Sequence, residues 1–125
     1  MGKPGGLSVP ALNFQKRFVQ LINSGHKTST IRPERKRPIR VEDRLLLYTG
    51  MRTAQCRKLA DAVCIAVDRV EITETTVHIA GVEQEIHTFA QRDGFRNTLD
   101  MLSWFKKTHR LPFRGYIITW HKYGQ

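Results

Sequence analysis

The chain has 125 residues, 40% of them hydrophobic, and its 21 Lys and Arg against 11 Asp and Glu give a formal net charge of +10. This length and composition predict one folded domain and exclude an intrinsically disordered protein. No apolar run approaches membrane-spanning length, and the first residues lack the hydrophobic stretch of a secretory signal. We therefore expect a cytoplasmic protein with no membrane partner. The basic excess favours a polyanionic partner such as nucleic acid over charge that serves only solubility.

Residues 1–6 are expected to form a flexible N-terminal tail, and residues 7–125 a single domain that acts as a monomer. The two cysteines, Cys56 and Cys64, have no CxxC spacing and no histidines at matching intervals. A structural zinc site is therefore not expected, and the sequence predicts reduced thiols, no bound metal and no cofactor.

The first elements follow from an interrupted strand pattern and a helical stripe. Residues 7–13, with Pro10 inside, predict an edge strand. Asn13 is a suitable N-cap for a helix over residues 14–24. The stripe that predicts this helix is apolar at helical spacing and consists of Phe14, Phe18, Leu21 and Ile22.

The next stretch, residues 25–32, reads Gly-His-Lys-Thr-Ser-Thr-Ile-Arg and is dense in reactive groups. Gly25 predicts the end of the helix. A strand from about Thr28 would put Thr30 and Arg32 on one face and Ile31 on the other. Lys27 would then lie in the turn, free to bend back over Thr30. The alternative is a polar loop and an edge strand without a catalytic or binding role.

Two basic segments come next, and both are candidates for gripping phosphates. Between residues 32 and 44 there are six positive and three negative residues, with two prolines that argue against a helix or a central strand. Residues 51–59 form a second basic segment. The cations expected to bind nucleic acid are Arg35, Lys36, Arg37, Arg40, Arg52, Arg57 and Lys58. The alternative is a pair of solvated loops.

The remaining pattern predicts mostly strands. Residues 45–49 and 60–73 are strand-like, and a change of alternation near Asp68 and Arg69 predicts a bulge. Residues 76–86 predict a hairpin, residues 88–93 one helical turn, residues 98–109 a helix capped by Asn97, and residues 115–120 the last strand. The fold class is therefore α+β, with five to six strands closed into a small mixed barrel and two main flanking helices.

These residues resemble a known family. Gly25-x-Lys27-Thr28-x-Thr30-Ile31-Arg32 is similar to the signature of the ASCH domain, which has a PUA-like β-barrel fold. Three later features agree in order and extend the resemblance over about residues 12–120. They are Val41-x-Asp43 before an apolar strand, Ala90-x-x-Asp93-Gly94-Phe95 before a helix, and a closing strand ending at Trp120.

The resemblance implies a cleft beside the barrel for RNA, a nucleobase or a nucleoside. Some small members of the family are amidohydrolases that remove the acyl group from N4 of cytidine. Their catalytic residues correspond to Lys27, Thr30 and Asp93, although this chain has aspartate where those enzymes carry glutamate. His26, Thr28 and Arg32 would contact the substrate. Other members are RNA-binding modules or ribonucleases, so the expected partner is a modified cytidine nucleoside or RNA.

The proposed chemistry is coherent from the residue types alone. A threonine hydroxyl needs a base within hydrogen-bond reach to act as a nucleophile. A lysine can be that base when burial or positive neighbours lower its pKa, and Arg32 would be such a neighbour. The alternative is a Lys27–Asp93 ion pair that only tethers the loop.

Overall fold

The computed structural model describes residues 9–123, in which seven strands form one mixed sheet flanked by three α-helices. The expected α+β class is confirmed, with more strands than the five or six predicted. In chain order the elements are β1 (Ala11–Phe14), a 3-10 turn (Lys16–Phe18), α1 (Val19–Asn23), β2 (Ser29–Arg32), β3 (Arg44–Thr49), β4 (Arg57–Ile72), β5 (Val77–Ile79), β6 (Val82–Gln84), α2 (Ile86–Arg92), α3 (Thr98–Thr108) and β7 (Phe113–Lys122). The predicted tail over residues 1–6 lies outside the described residues.

The 16-residue strand β4 organises the sheet, because it pairs antiparallel with β3, β5 and β7 along different parts of its length. Strand β1 pairs parallel with β3, and β2 pairs antiparallel with β7. The strands β1-β3-β4-β7-β2 therefore follow one another across the sheet. Within residues 9–123 no ladder joins β1 to β2, so the sheet is open between these two edges. The Arg32 side chain crosses this opening, and its Nη2 donates to the Asn13 carbonyl oxygen at 2.8 Å.

The first predicted helix is wrong over its N-terminal part. Phe14 lies in β1 opposite Thr49, and Asn13 belongs to the same strand instead of capping a helix. Helical structure begins only at Lys16, as a 3-10 turn that leads into the five-residue α1. Phe14 gains more from its place between β3 and the Trp120 ring, 5.6 Å away, than from continuing a short isolated helix.

The bulge is also displaced from its predicted position. The β4–β7 register shifts between Cys64 and Ala66, not at Asp68 and Arg69. The second basic segment is partly strand, because Arg57 and Lys58 begin β4.

Several local predictions are confirmed. Gly25 ends α1 with φ +84°, a conformation that suits glycine. The Asn97 side chain caps α3 by accepting from the backbone N–H of Asp100 at 2.9 Å. The predicted hairpin is present as β5 and β6.

One hydrophobic core lies between the sheet and the helices, and Trp120, Phe105, Ile22 and Leu45 are among its fully buried members. An aromatic cluster joins α3 to β7, with the Phe105 and Phe113 ring centres 5.1 Å apart. Among the described helices none is long and apolar enough to cross a membrane.

Candidate functional site

The turn after α1 carries the side chain of Lys27 into the protein. Gly25 reverses the chain, and the backbone N–H of Lys27 then donates to the Leu21 carbonyl at 3.0 Å. Only 2% of Lys27 remains exposed. A lysine this deeply buried is rare in a globular protein, and it requires a partner for its amine.

Asp93 is that partner, although it lies 66 residues further along the chain. The Lys27 amine is 3.0 Å from the Asp93 carboxylate oxygen Oδ1 and donates to the Asp93 carbonyl oxygen at 2.5 Å. Asp93 ends α2, and its backbone N–H donates to the Phe89 carbonyl. The Lys27 amine also lies 4.9 Å from the centre of the Phe18 ring, a favourable cation–π contact. One loop and one helix end therefore converge on a single buried ion pair.

Burial changes the proton affinity of both partners. It lowers the pKa of Lys27, and the positive charge of Arg32 lowers it further, while Asp93 opposes the change. Burial likewise raises the pKa of Asp93, against the attraction of Lys27. In each group the desolvation outweighs the attraction. Lys27 therefore gives up its proton more readily than an exposed lysine, which a general base requires.

Thr30 and Arg32 come from β2 and reach the same cleft. The Thr30 hydroxyl accepts a hydrogen bond from Arg32 Nε at 3.2 Å, and the Arg32 guanidinium carbon lies 4.9 Å from the Phe14 ring centre. Burial and the nearby Arg35 lower the pKa of Arg32 to about 10, so Arg32 stays charged at neutral pH. Within residues 9–123 no direct hydrogen bond joins the Lys27 amine to the Thr30 hydroxyl. Both groups nevertheless line one cleft, beside the charge of Arg32.

This cleft has a volume of about 270 Å³ and opens between β1, β2 and α3. Its polar lining consists of the groups just described together with Asn13, Gln15 and Thr108. Most of its remaining lining is aromatic: Phe14, Phe18, Phe95, Trp104, Phe105 and His109. A cleft with aromatic walls and a few convergent polar groups suits a small planar ligand.

The wall of the cleft that α3 provides was not predicted from the sequence. Trp104 and His109 both line the cleft, and Trp104 is held by a hydrogen bond from its ring N–H to the Gln15 side chain at 3.0 Å. The His109 ring centre lies 4.9 Å from that of Phe113. Burial and the charge of Arg32 lower the pKa of His109, which favours a neutral ring. The only signal in the sequence was the aromatic content of the predicted helix.

Two predicted substrate contacts lie elsewhere. His26 is exposed, and its ring Nε2 is 3.3 Å from the Gln91 carbonyl oxygen. Thr28 is also exposed, and its carbonyl accepts from the backbone N–H of Trp120. Neither residue lines the cleft, because the buried turn directs Lys27 inward between them.

The predicted nucleic-acid contacts lie at the surface. Arg35 is half-buried, while Lys36, Arg37, Arg40, Arg52, Arg57 and Lys58 are exposed. Both basic segments begin at the rim of the cleft. Pro33 lines the cleft directly, and the backbone N–H of Met51 donates to the side chain of Asn13, another lining residue. Lys58 is partly neutralised by Asp61, 3.3 Å away.

Across residues 9–123 no group of three or more His, Cys, Asp or Glu side chains could hold a metal ion. Comparisons with protein families, with curated proteins and with solved structures found no match to this chain. What the site can do therefore follows from its own residues. They offer the buried Lys27 amine with its lowered pKa, its carboxyl partner Asp93, the Thr30 hydroxyl and the positive charge of Arg32, around a cleft with aromatic walls.

Proposed function

We propose that this protein is an amidohydrolase that removes the acyl group from N4-acylcytidine-type nucleosides. The proposal is carried by the buried Lys27–Asp93 pair, 3.0 Å apart, in a cleft that Thr30 also lines. A buried ion pair is weak as a stabilising device, because desolvation offsets most of its attraction. Such a pair at the wall of a cleft is more typical of an active site.

In the first step the Thr30 Oγ forms a bond to the carbonyl carbon of the acyl group while its proton passes to the Lys27 amine, directly or through one water. The Arg32 guanidinium, adjacent to Thr30, stabilises the negative charge that develops on the carbonyl oxygen. The carbon–nitrogen bond then breaks, and the N4 nitrogen leaves with the proton supplied through Lys27 and Asp93. Water finally hydrolyses the acyl-threonine ester, releasing the carboxylic acid and restoring the hydroxyl.

The shape of the cleft supports a pyrimidine base as the recognised part of the substrate. Its volume of about 270 Å³ is at the small end for ligand sites. Its aromatic walls offer stacking faces, which do not depend on hydrogen bonding to the base.

Membership of the ASCH family and a PUA-like barrel belong to the same proposal. The succession β1-β3-β4-β7-β2, with Arg32 spanning the gap between the first and last strands, supports a barrel that opens at the cleft. A monomer acting in the cytoplasm is also proposed.

The test is incubation of the purified protein with N4-acetylcytidine, with release of cytidine followed by chromatography. We expect release by the wild type and none by Lys27→Ala or Thr30→Val. Lys107→Ala is the matched control, because Lys107 is exposed and does not line the cleft. Circular dichroism would verify that each variant is folded. Wild-type release no greater than that of a folded Thr30→Val variant would refute the proposal.

A second candidate function is a non-catalytic RNA-binding module. It is supported by the exposed cations in the two segments that begin at the cleft rim. If these cations neutralise phosphates, the logarithm of the binding constant for single-stranded RNA should fall with the logarithm of salt concentration. The expected slope is about −0.7 per phosphate neutralised. Binding that is absent, or that does not change with salt, would contradict this function.

A further inference from the structure

The cleft adjoins two other cavities on the sheet surface. Pro33 lines both the cleft and a second cavity of about 180 Å³ beneath residues 33–39. Glu34 and Tyr116 line that second cavity and also a third, of about 400 Å³. The three cavities therefore lie next to one another from the cleft, past the first basic segment, to the far part of β4 and β7, and we call this row of cavities the groove.

Strand register explains the composition of the third cavity. Arg69 lies opposite Tyr116, and Glu71 lies opposite both Arg114 and His78. Cross-strand partners share a face of the sheet, so these five side chains form one patch. We call this patch the distal pocket.

The distal pocket presents a stacking surface and mixed polar groups. The Arg69 guanidinium carbon lies 5.5 Å from the centre of the Tyr116 ring. Arg114 is held by Glu71, with 2.8 Å between Nε and the carboxylate oxygen. Two arginines balanced by Glu34 and Glu71 make the pocket nearly neutral, which suits the edge of a nucleobase better than a bare anion.

One atom of the distal pocket lacks a partner. Within residues 9–123 the buried Nδ1 of His78 makes no hydrogen bond. Buried polar atoms in folded proteins are nearly always hydrogen-bonded, and the ring that carries this unused one lines the pocket.

We propose that the distal pocket binds a second base of a single-stranded RNA whose target cytidine occupies the cleft. This inference rests on the proposed function, because it requires a nucleobase in the cleft. It identifies the physiological substrate as a modified cytidine within an RNA strand. Both bases must be unpaired to reach their pockets, so a duplex is excluded.

The spacing of the two sites fits neighbouring nucleotides. Arg32, Tyr116 and Arg69 lie opposite one another on the adjacent strands β2, β7 and β4. Two strand spacings separate the backbone of Arg32 from that of Arg69 by roughly 10 Å. Arg35 lines the cavity between the two sites and provides a cation for the connecting phosphate.

The experiment compares a fluorescent five-nucleotide RNA containing one central cytidine with cytidine monophosphate, which is too small to reach both pockets. We expect the wild type to bind the pentamer at least about tenfold more tightly. Arg69→Ala and Tyr116→Val should each reduce this pentamer-to-monomer ratio by about fivefold or more, the range for loss of one stacked base. Tyr116→Phe should retain it. Lys107→Ala removes the same charge as Arg69→Ala outside the groove and should leave the ratio unchanged.

An equal ratio in wild type and Arg69→Ala would overturn the inference, as would a wild type that binds the pentamer no more tightly than the monomer. Arg69 is exposed, so its variant is expected to fold even if Tyr116→Val does not. The hydrolysis of free N4-acetylcytidine is measured separately. Loss of that activity alone would remove the amidohydrolase proposal without altering the binding ratio.

Discussion

Replacing Lys27 by methionine tests how much the free energy of unfolding depends on the buried Lys27–Asp93 pair. Methionine has a similar length but cannot pair with the Asp93 carboxyl, which is 7% exposed in its side chain. Removing one partner of a buried ion pair leaves an uncompensated charge, and this costs about 3–5 kcal/mol. The assay is unfolding in urea. If the free energy of unfolding falls by about 2 kcal/mol per molar urea, the urea concentration at the unfolding midpoint should fall by about 2 M.

The size of the loss should depend on pH. Burial raises the pKa of Asp93 above its ordinary value of 3.8, and in Lys27→Met the opposing attraction of the amine is gone. A raised folded-state pKa means that the folded protein keeps a proton that the unfolded chain has released. The stability that the folded state gains by keeping the Asp93 proton is therefore fully present below about pH 3.8. It is lost as the pH rises through the folded-state pKa of Asp93. Relative to wild type, Lys27→Met should be less destabilised at pH 5 than at pH 7.5.

The single variant Asp93→Asn and the double variant Lys27→Met/Asp93→Asn complete a double-mutant cycle. The double variant should recover part of the loss, since no buried charge remains. The surface pair Lys58–Asp61 is a control of the same chemistry, 3.3 Å apart, with side chains that are 45% and 30% exposed. Its coupling should be close to zero within experimental error. A Lys27→Met variant within about 1 kcal/mol of wild type at pH 7.5, or no coupling in the buried pair, would refute the reasoning.

Four further predictions follow from the site and its supports. Thr30→Val should abolish measurable hydrolysis because it removes the proposed nucleophile but keeps the shape of the side chain; Thr30→Ser, as control, should retain measurable activity. The hydrolysis rate should rise with pH and level off below 10.5, because Lys27 must lose its proton to act as a base and its pKa is lowered; a rate that falls over this range would contradict its role. Gly94→Ala should lower the free energy of unfolding by about 1–3 kcal/mol, since Gly94 has φ +106° and the new Cβ would lie 3.0 Å from an aromatic ring; Gly81→Ala, with open space around it, should cost less. Asn97→Ala should cost about 1 kcal/mol in urea unfolding by removing the cap of α3, whereas Asn97→Asp should cost little.

Structure that depends on neighbouring residues was predictable from the sequence. The Asn97 cap and the Gly25 stop are local, since each is determined by backbone groups within three or four residues. Phe14 was misassigned because its helical spacing competes with a β pairing to Thr49, 35 residues away, which no short window contains. Helix propensity is a weak preference that such tertiary pairing overrides.

The same distinction between local features and long-range contacts applies to the candidate site. The residue types at Lys27 and Thr30 were evident from one short motif, and the resemblance supplied Asp93. The aromatic wall formed by Trp104 and His109 was not foreseen, because its approach to the motif depends on how α3 packs across the sheet opening. Chemical groups on one strand can be read from the sequence, whereas the shape of the cleft around them depends on contacts between distant segments.

The pairing of β2 has a consequence for how the protein is made. In the described chain β2, which carries Thr30 and Arg32, shares a ladder with β7 alone, and β7 is the last strand in the sequence. During synthesis β2 therefore stays unpaired until β7 has left the ribosome. Contacts between residues so far apart in sequence also form slowly. A nascent chain arrested before residue 113 would contain every proposed catalytic residue and still lack the strand that holds two of them in place.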